Sequence, residues 1–119
     1  MAAIIEMVCT APQKSLPQTA EEFTVKAGLS GERIYSHRRE DAVLLCFERY
    51  YFRNGSYAAL TVSFREQDGR QYAAIVGFGG AEGLFNLSWG ANASFARTAQ
   101  QALELMGFEK AEEKDIRNE

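Results

Sequence analysis

Residues 42–78 read AVLLCFERYYFRNGSYAALTVSFREQDGRQYAAIVGF, and the fold turns on how this stretch is paired with itself. Ala42 to Phe52 is apolar and aromatic and ends at Arg53-Asn54-Gly55-Ser56. Asn-Gly between two strand-like runs is the strongest short-range hairpin signal, because both residues tolerate positive φ. Tyr57 to Arg65 then alternates, with Leu60, Val62 and Phe64 on one face. Asp68-Gly69 marks a second tight turn, and Arg70 to Phe78 is the returning strand. A two-residue loop at Asn54-Gly55 pairs Phe47 with Val62 and Leu45 with Phe64. The same loop length at Asp68-Gly69 pairs Val62 with Ile75 and Phe64 with Ala73. Both turns gather the same apolar side chains on one face, so a three-stranded antiparallel meander is expected.

On the N-terminal side, Ala3 to Thr10 reads as a strand. A loop with Pro12 and Pro17 leads to Thr19-Ala20-Glu21-Glu22, which has capping-box spacing. Ala20, Phe23 and Ala27 share one helical face, and Gly28 supplies a stop. Glu32 to Ser36 forms a brief strand before the charged turn His37 to Asp41. On the C-terminal side, the run from Gly77 to Gly83 is too glycine-rich for regular structure, and Leu84 to Trp89 alternates like a strand. Asn92 is placed to cap a last helix, whose stripe is Phe95, Ala99, Ala102, Leu103 and Met106. Gly107 followed by Phe108 fits a helix stop, and Glu109 to Glu119 reads as a charged, disordered tail. The order β-α-β-β-β-β-β-α implies a single α+β domain over residues 1–108. It is a two-layer sandwich with an antiparallel sheet of five to six strands and the C-terminal helix on one face.

Composition bounds the function. The 119 residues are 46% hydrophobic and 24% charged, near the globular average, so disordered, collagen-like and coiled-coil classes are excluded. A net charge of −3 offers no footprint for nucleic acid, and no apolar run is long enough to span a bilayer. Met1-Ala2-Ala3-Ile4-Ile5-Glu6 lacks the basic start of a signal peptide, so a cytoplasmic, reducing setting is expected. Cys9 and Cys46 then read as small buried hydrophobes, and with a single histidine they fall short of a zinc site. No metal and no cofactor is expected.

Candidate site residues follow from charge in apolar surroundings. Glu48 and Arg49 interrupt the aromatic run, and in the two-residue register Arg49 shares a face with Phe47, Tyr51 and Val62. A cation there must snorkel, pair with an acid such as Glu6, Glu22 or Glu82, or meet an anionic ligand. A three-residue loop would instead exchange the faces of Glu48 and Arg49. The glycine run lacks both the Gly-Lys-Ser/Thr ending and the following helix of a phosphate loop, so it reads as a flexible connection at a cavity mouth. Arg49, Glu48, Tyr51, Gly79 and Gly80 are therefore the candidate ligand-binding set. His37 sits in a solvated turn without a nucleophile or orienting acid beside it, and no catalytic residue is assigned. Tyr50, Tyr57 and Tyr72 fall on the face opposite Leu60, where aromatics mark an interface.

These residues resemble a family of short uncharacterised bacterial proteins grouped as a domain of unknown function. The likeness covers Ala42 to Leu103 and rests on Glu48-Arg49-Tyr50, Gly79-Gly80, Phe85, Trp89-Gly90 and Phe95. The resemblance implies no assigned activity and no catalytic residues. The expectation is thus a non-catalytic binding or self-association domain, a homo-oligomer with a dimer favoured, taking a small ligand between sheet and helix. The alternative is a small enzyme using Arg49 and a nearby acid or tyrosine. Neither nucleic acid nor membrane is expected as a partner.

Overall fold

A computed structural model describes residues 2–51, 55–79 and 85–111 of the chain. Strand β1 (Ala2–Cys9) leads into helix α1 (Leu16–Lys26) and a single 3-10 turn (Ser30–Glu32). Strands β2 (Arg33–Arg38), β3 (Ala42–Tyr51), β4 (Ser56–Gln67) and β5 (Arg70–Gly79) follow, then helix α2 (Phe85–Leu105) and the two-residue strand β6 (Glu109–Lys110). The six strands make one antiparallel sheet in the order β2-β3-β4-β5-β1-β6. The expected α+β architecture therefore stands. Among the described residues no helix is long and apolar enough to cross a membrane.

The meander forms as expected, with one change of register. The turn at Asp68-Gly69 pairs Val62 with Ile75 and Phe64 with Ala73. Both turn residues have positive φ, 56° at Asp68 and 77° at Gly69, which suits the twist of a tight hairpin. The other hairpin pairs Tyr51 with Ser56, so four residues rather than two form its loop, and Phe47 lies opposite Leu60 instead of Val62. A slip of two residues preserves the face of every side chain, because strands have a period of two. Val43, Leu45 and Phe47 thus still meet Leu60, Val62 and Phe64 in a buried layer with Ala73 and Ile75.

Both helices cover this inner face. Phe23 of α1 packs edge-on against Phe47 and Phe64, with centroids 6.1 and 5.7 Å apart. From α2, Phe95, Ala96, Ala99, Ala102 and Leu103 join the same core, as does Phe108 beyond it. The α1 start lies earlier than its capping spacing suggested. Ser15 is the N-cap and forms a capping box with Gln18, and Pro17 stands in the first turn. Ser15 sits outside the helix with extended backbone, whereas Thr19 is already helical and buried, its hydroxyl spent on a tertiary contact. At the other end Gly28 takes φ +70°, and the Leu29 N–H returns to the Thr24 carbonyl while its side chain is fully buried.

The strand expected at Leu84–Trp89 is corrected. Residues 85–89 form the first turns of α2, and Asn92, expected as its cap, lies inside the helix. The reason is topological: β5 already has β4 on one side and β1 on the other, so a strand entering after it finds no adjacent place. Leu84 and Gly80 to Gly83 lie outside the described residues, as do Phe52 to Asn54. Residues 109 and 110, assigned from sequence to the charged tail, pair with Val8 and Met7 of β1, and residues 112–119 lie outside the described residues.

Candidate functional site

Among the described residues one sheet face is packed under both helices and the other carries no helix. Because paired residues point to the same side, the register defines the outer face row by row. One row across β2, β3, β4, β5 and β1 is Tyr35, Cys46, Thr61, Val76 and Ile4. The next is His37, Leu44, Ser63, Ala74 and Glu6. Glu48, Ala59 and Phe78 lie on one side of these rows, and Arg65 and Tyr72 on the other. Ile4 is 64% exposed, Tyr35 53% and Phe78 42%, so large apolar groups face water here rather than the core. Tyr50 and Tyr57, expected on this face, are both exposed on it and lean together with centroids 5.0 Å apart. Along β4 the outer residues Ala59, Thr61 and Ser63 are all small. A recess of about 230 Å³ opens beside them, lined by Glu6, Ser63, Arg65, Tyr72, Ala74 and Ala111 among others. Arg65 closes one end, its guanidinium 4.1 Å above the Tyr72 ring and donating to Gln67 Oε1.

The expected ligand set is divided by the sheet. Arg49 is on the inner face and Glu48 is exposed on the outer one, as alternation requires. Arg49 is held from both sides. Its Nε and Nη2 each donate over 2.7 Å to the Glu32 carboxylate, and its guanidinium lies 5.0 Å from the Phe95 ring centroid. Among the described residues the acid that pairs with it is Glu32, from the 3-10 turn, and not Glu6 or Glu22; Glu82 lies outside the described residues. Sequence distance hid this partner, because only the packing of the 3-10 turn beside β3 brings residue 32 to residue 49. Gly79 ends β5 opposite Ala58, the Tyr51 backbone ends β3 opposite Ser56, and Gly80 lies outside the described residues. Arg33 and Arg38 of β2 share a second acid, Glu21 of α1.

Sequence reasoning missed a buried polar clasp at the other end of the molecule. Gln71 is 1% exposed. Its Oε1 accepts from the Thr19 hydroxyl at 2.8 Å, and its Nε2 donates to the Lys14 carbonyl at 2.7 Å and to Glu66 Oε1 at 3.4 Å. These bonds tie β5 to α1 and to the loop before it. They also floor a cleft of about 420 Å³ bounded by Cys9, Pro12, Met106 and Phe108, with the Lys14–Glu22 ion pair at its rim. The alternation that placed residue 71 on the inner face was the available signal.

Both cysteines are free, and the strand pairing puts them on opposite faces: Cys9 is buried on the inner side, and Cys46 is half-buried on the outer one. Cys46 is thus a surface residue of the open face rather than a core hydrophobe. Burial beneath its neighbours raises its thiol pKa, which favours the protonated form. Among the described residues no group of three or more His, Cys, Asp or Glu side chains could hold a metal ion.

A family model described as a family of unknown function, DUF6054, matches residues 3–107. The chain belongs to the DUF6054 family. The match extends through β1 and α1, beyond the part from Ala42 to Leu103 that carried the resemblance. Searches of curated proteins and of solved structures found no match.

Proposed function

We propose that this DUF6054 member is a non-catalytic self-association domain that pairs with a second copy through its outer sheet face. One observation carries the reading: a six-stranded sheet buries one face under two helices and presents Ile4, Tyr35, Cys46, Val76 and Phe78 on the other. Five strands about 4.8 Å apart and about 27 Å long span on the order of 650 Å² per copy, or about 1,300 Å² in a symmetric pair. That is within the range of specific interfaces. Mixed polar character on the face (Glu6 and Glu48 with Arg65 and the His37 imidazole) suits a self-complementary contact better than a partner of a single sign.

The face is favoured over the open β2 edge. Antiparallel pairing of two β2 strands about Tyr35 and Ser36 would set Arg33 against Arg38 at both ends, and basic residues on an edge strand oppose such addition. Sedimentation equilibrium tests the reading. Wild-type protein is expected to reach twice the chain mass at micromolar concentrations, and Val76→Arg to remain a monomer with unchanged circular dichroism. A wild-type monomer at high micromolar concentration overturns the proposal.

A further inference from the structure

Resting on that reading, we infer that the two-fold axis of the pair runs along β4 and sets Glu6 of each copy against His37 of the other. β4 is the middle of the five strands that carry the outer face, so an axis along it superposes the two faces with the greatest overlap. Its small residues Ala59, Thr61 and Ser63 let two sheets approach closely along that line. Rotation about the axis brings β3 over the other copy's β5, and β2 over its β1. Within the row His37, Leu44, Ser63, Ala74, Glu6, large then meets small and imidazole meets carboxylate. Leu44 stands over the other copy's Ala74, which lines the 230 Å³ recess. His37 stands over Glu6, and symmetry repeats both contacts.

In the neighbouring row Cys46 meets Val76 and Tyr35 meets Ile4, both apolar pairs. The two Arg65 side chains approach the axis, but each is drawn toward β5 by its stacking on Tyr72, which carries them to opposite sides of it. Aligned sheets cross at about 30°, which about 10 Å from the axis, at β1 and β2, is an offset of about 5 Å, comparable to the reach of a glutamate side chain.

The inference makes a pairing rule. Glu6→Lys sets lysine against histidine twice, and His37→Glu sets glutamate against glutamate twice. Each variant alone is expected to self-associate about tenfold more weakly than wild type, since Glu6→Lys removes the carboxylate that faces the imidazole and His37→Glu sets like charges across the interface. An equimolar mixture of the two forms a heterodimer with one Lys–Glu and one His–Glu contact, and is expected to recover wild-type affinity in sedimentation velocity. Recovery on mixing also shows that both variants are folded. If the single variants associate as wild type does, or if mixing restores nothing, the axis is elsewhere while the self-association reading stands. A monomeric wild type overturns both.

Discussion

Replacing Gln71 by leucine tests the logic of the buried clasp. Leucine has a similar volume but ends one atom short of the amide, and the site is fully enclosed, so the change removes every hydrogen bond of the side chain at a small packing cost. Three partners lose their bonds: the Thr19 hydroxyl, which is itself 4% exposed, the Lys14 carbonyl and, at the longest distance, the Glu66 carboxylate. A buried polar group left unsatisfied costs about 1–3 kcal/mol. Thr19 bears most of this, because Lys14 is a surface residue whose carbonyl reaches water with little rearrangement. Offsetting about 1 kcal/mol for the added apolar burial leaves a loss of up to about 2 kcal/mol for Gln71→Leu. That corresponds to a fall in Tm of up to about 10 °C for a domain of this size. Removing the stranded hydroxyl as well should recover part of the loss. Gln71→Leu with Thr19→Val is thus expected to be at least about 1 kcal/mol more stable than the sum of the single losses. Urea unfolding followed by far-ultraviolet circular dichroism, in the Val76→Arg background to remove self-association, measures all four corners of the cycle. Additivity within about 0.3 kcal/mol would refute the argument, since it would mean that Thr19 and Gln71 do not satisfy each other.

Two further outcomes are expected. A cycle of Arg49→Met and Glu32→Gln should give a coupling of about 1 kcal/mol, the bidentate pair being 29% exposed at each side chain and so partly screened; urea midpoints read it, and zero coupling would remove Glu32 as the partner of Arg49. Because burial raises the Cys46 thiol above its usual pKa of 9.0, the folded state holds this proton more tightly than the unfolded chain. Its contribution to stability is present below pH 9.0 and is lost as pH rises through the raised value, so Cys46→Ala should flatten the alkaline decline in urea midpoint, and an unchanged decline would contradict this.

The meander was legible because its information is local. Asn54-Gly55 and Asp68-Gly69 mark the turns, and alternation through Leu60, Val62 and Phe64 names the buried face whatever the even length of the loop. The last helix was legible from Phe95 onward for the same reason, its stripe of Ala99, Ala102 and Leu103 repeating at helical spacing. Residues 85–89 misled because three apolar residues at every second position fit either period, and only the occupied flanks of β5 decide between them. Thr19 misled because a threonine before two glutamates satisfies the capping pattern locally, although its hydroxyl belongs to Gln71, 52 positions away.

Amphipathic period, turn chemistry and helix stops are properties of a few adjacent residues, so the sequence alone determined which elements form and which face of each is apolar. Partners distant in sequence were decided only when the chain closed. Inserting β1 between β5 and β6 completed the sheet, packing of the 3-10 turn beside β3 brought Glu32 to Arg49, and docking of α1 brought Thr19 to Gln71. Placing both helices on one side then left Tyr35, Cys46, Val76 and Ile4 as a surface, because two helices cover one face of a sheet and no more.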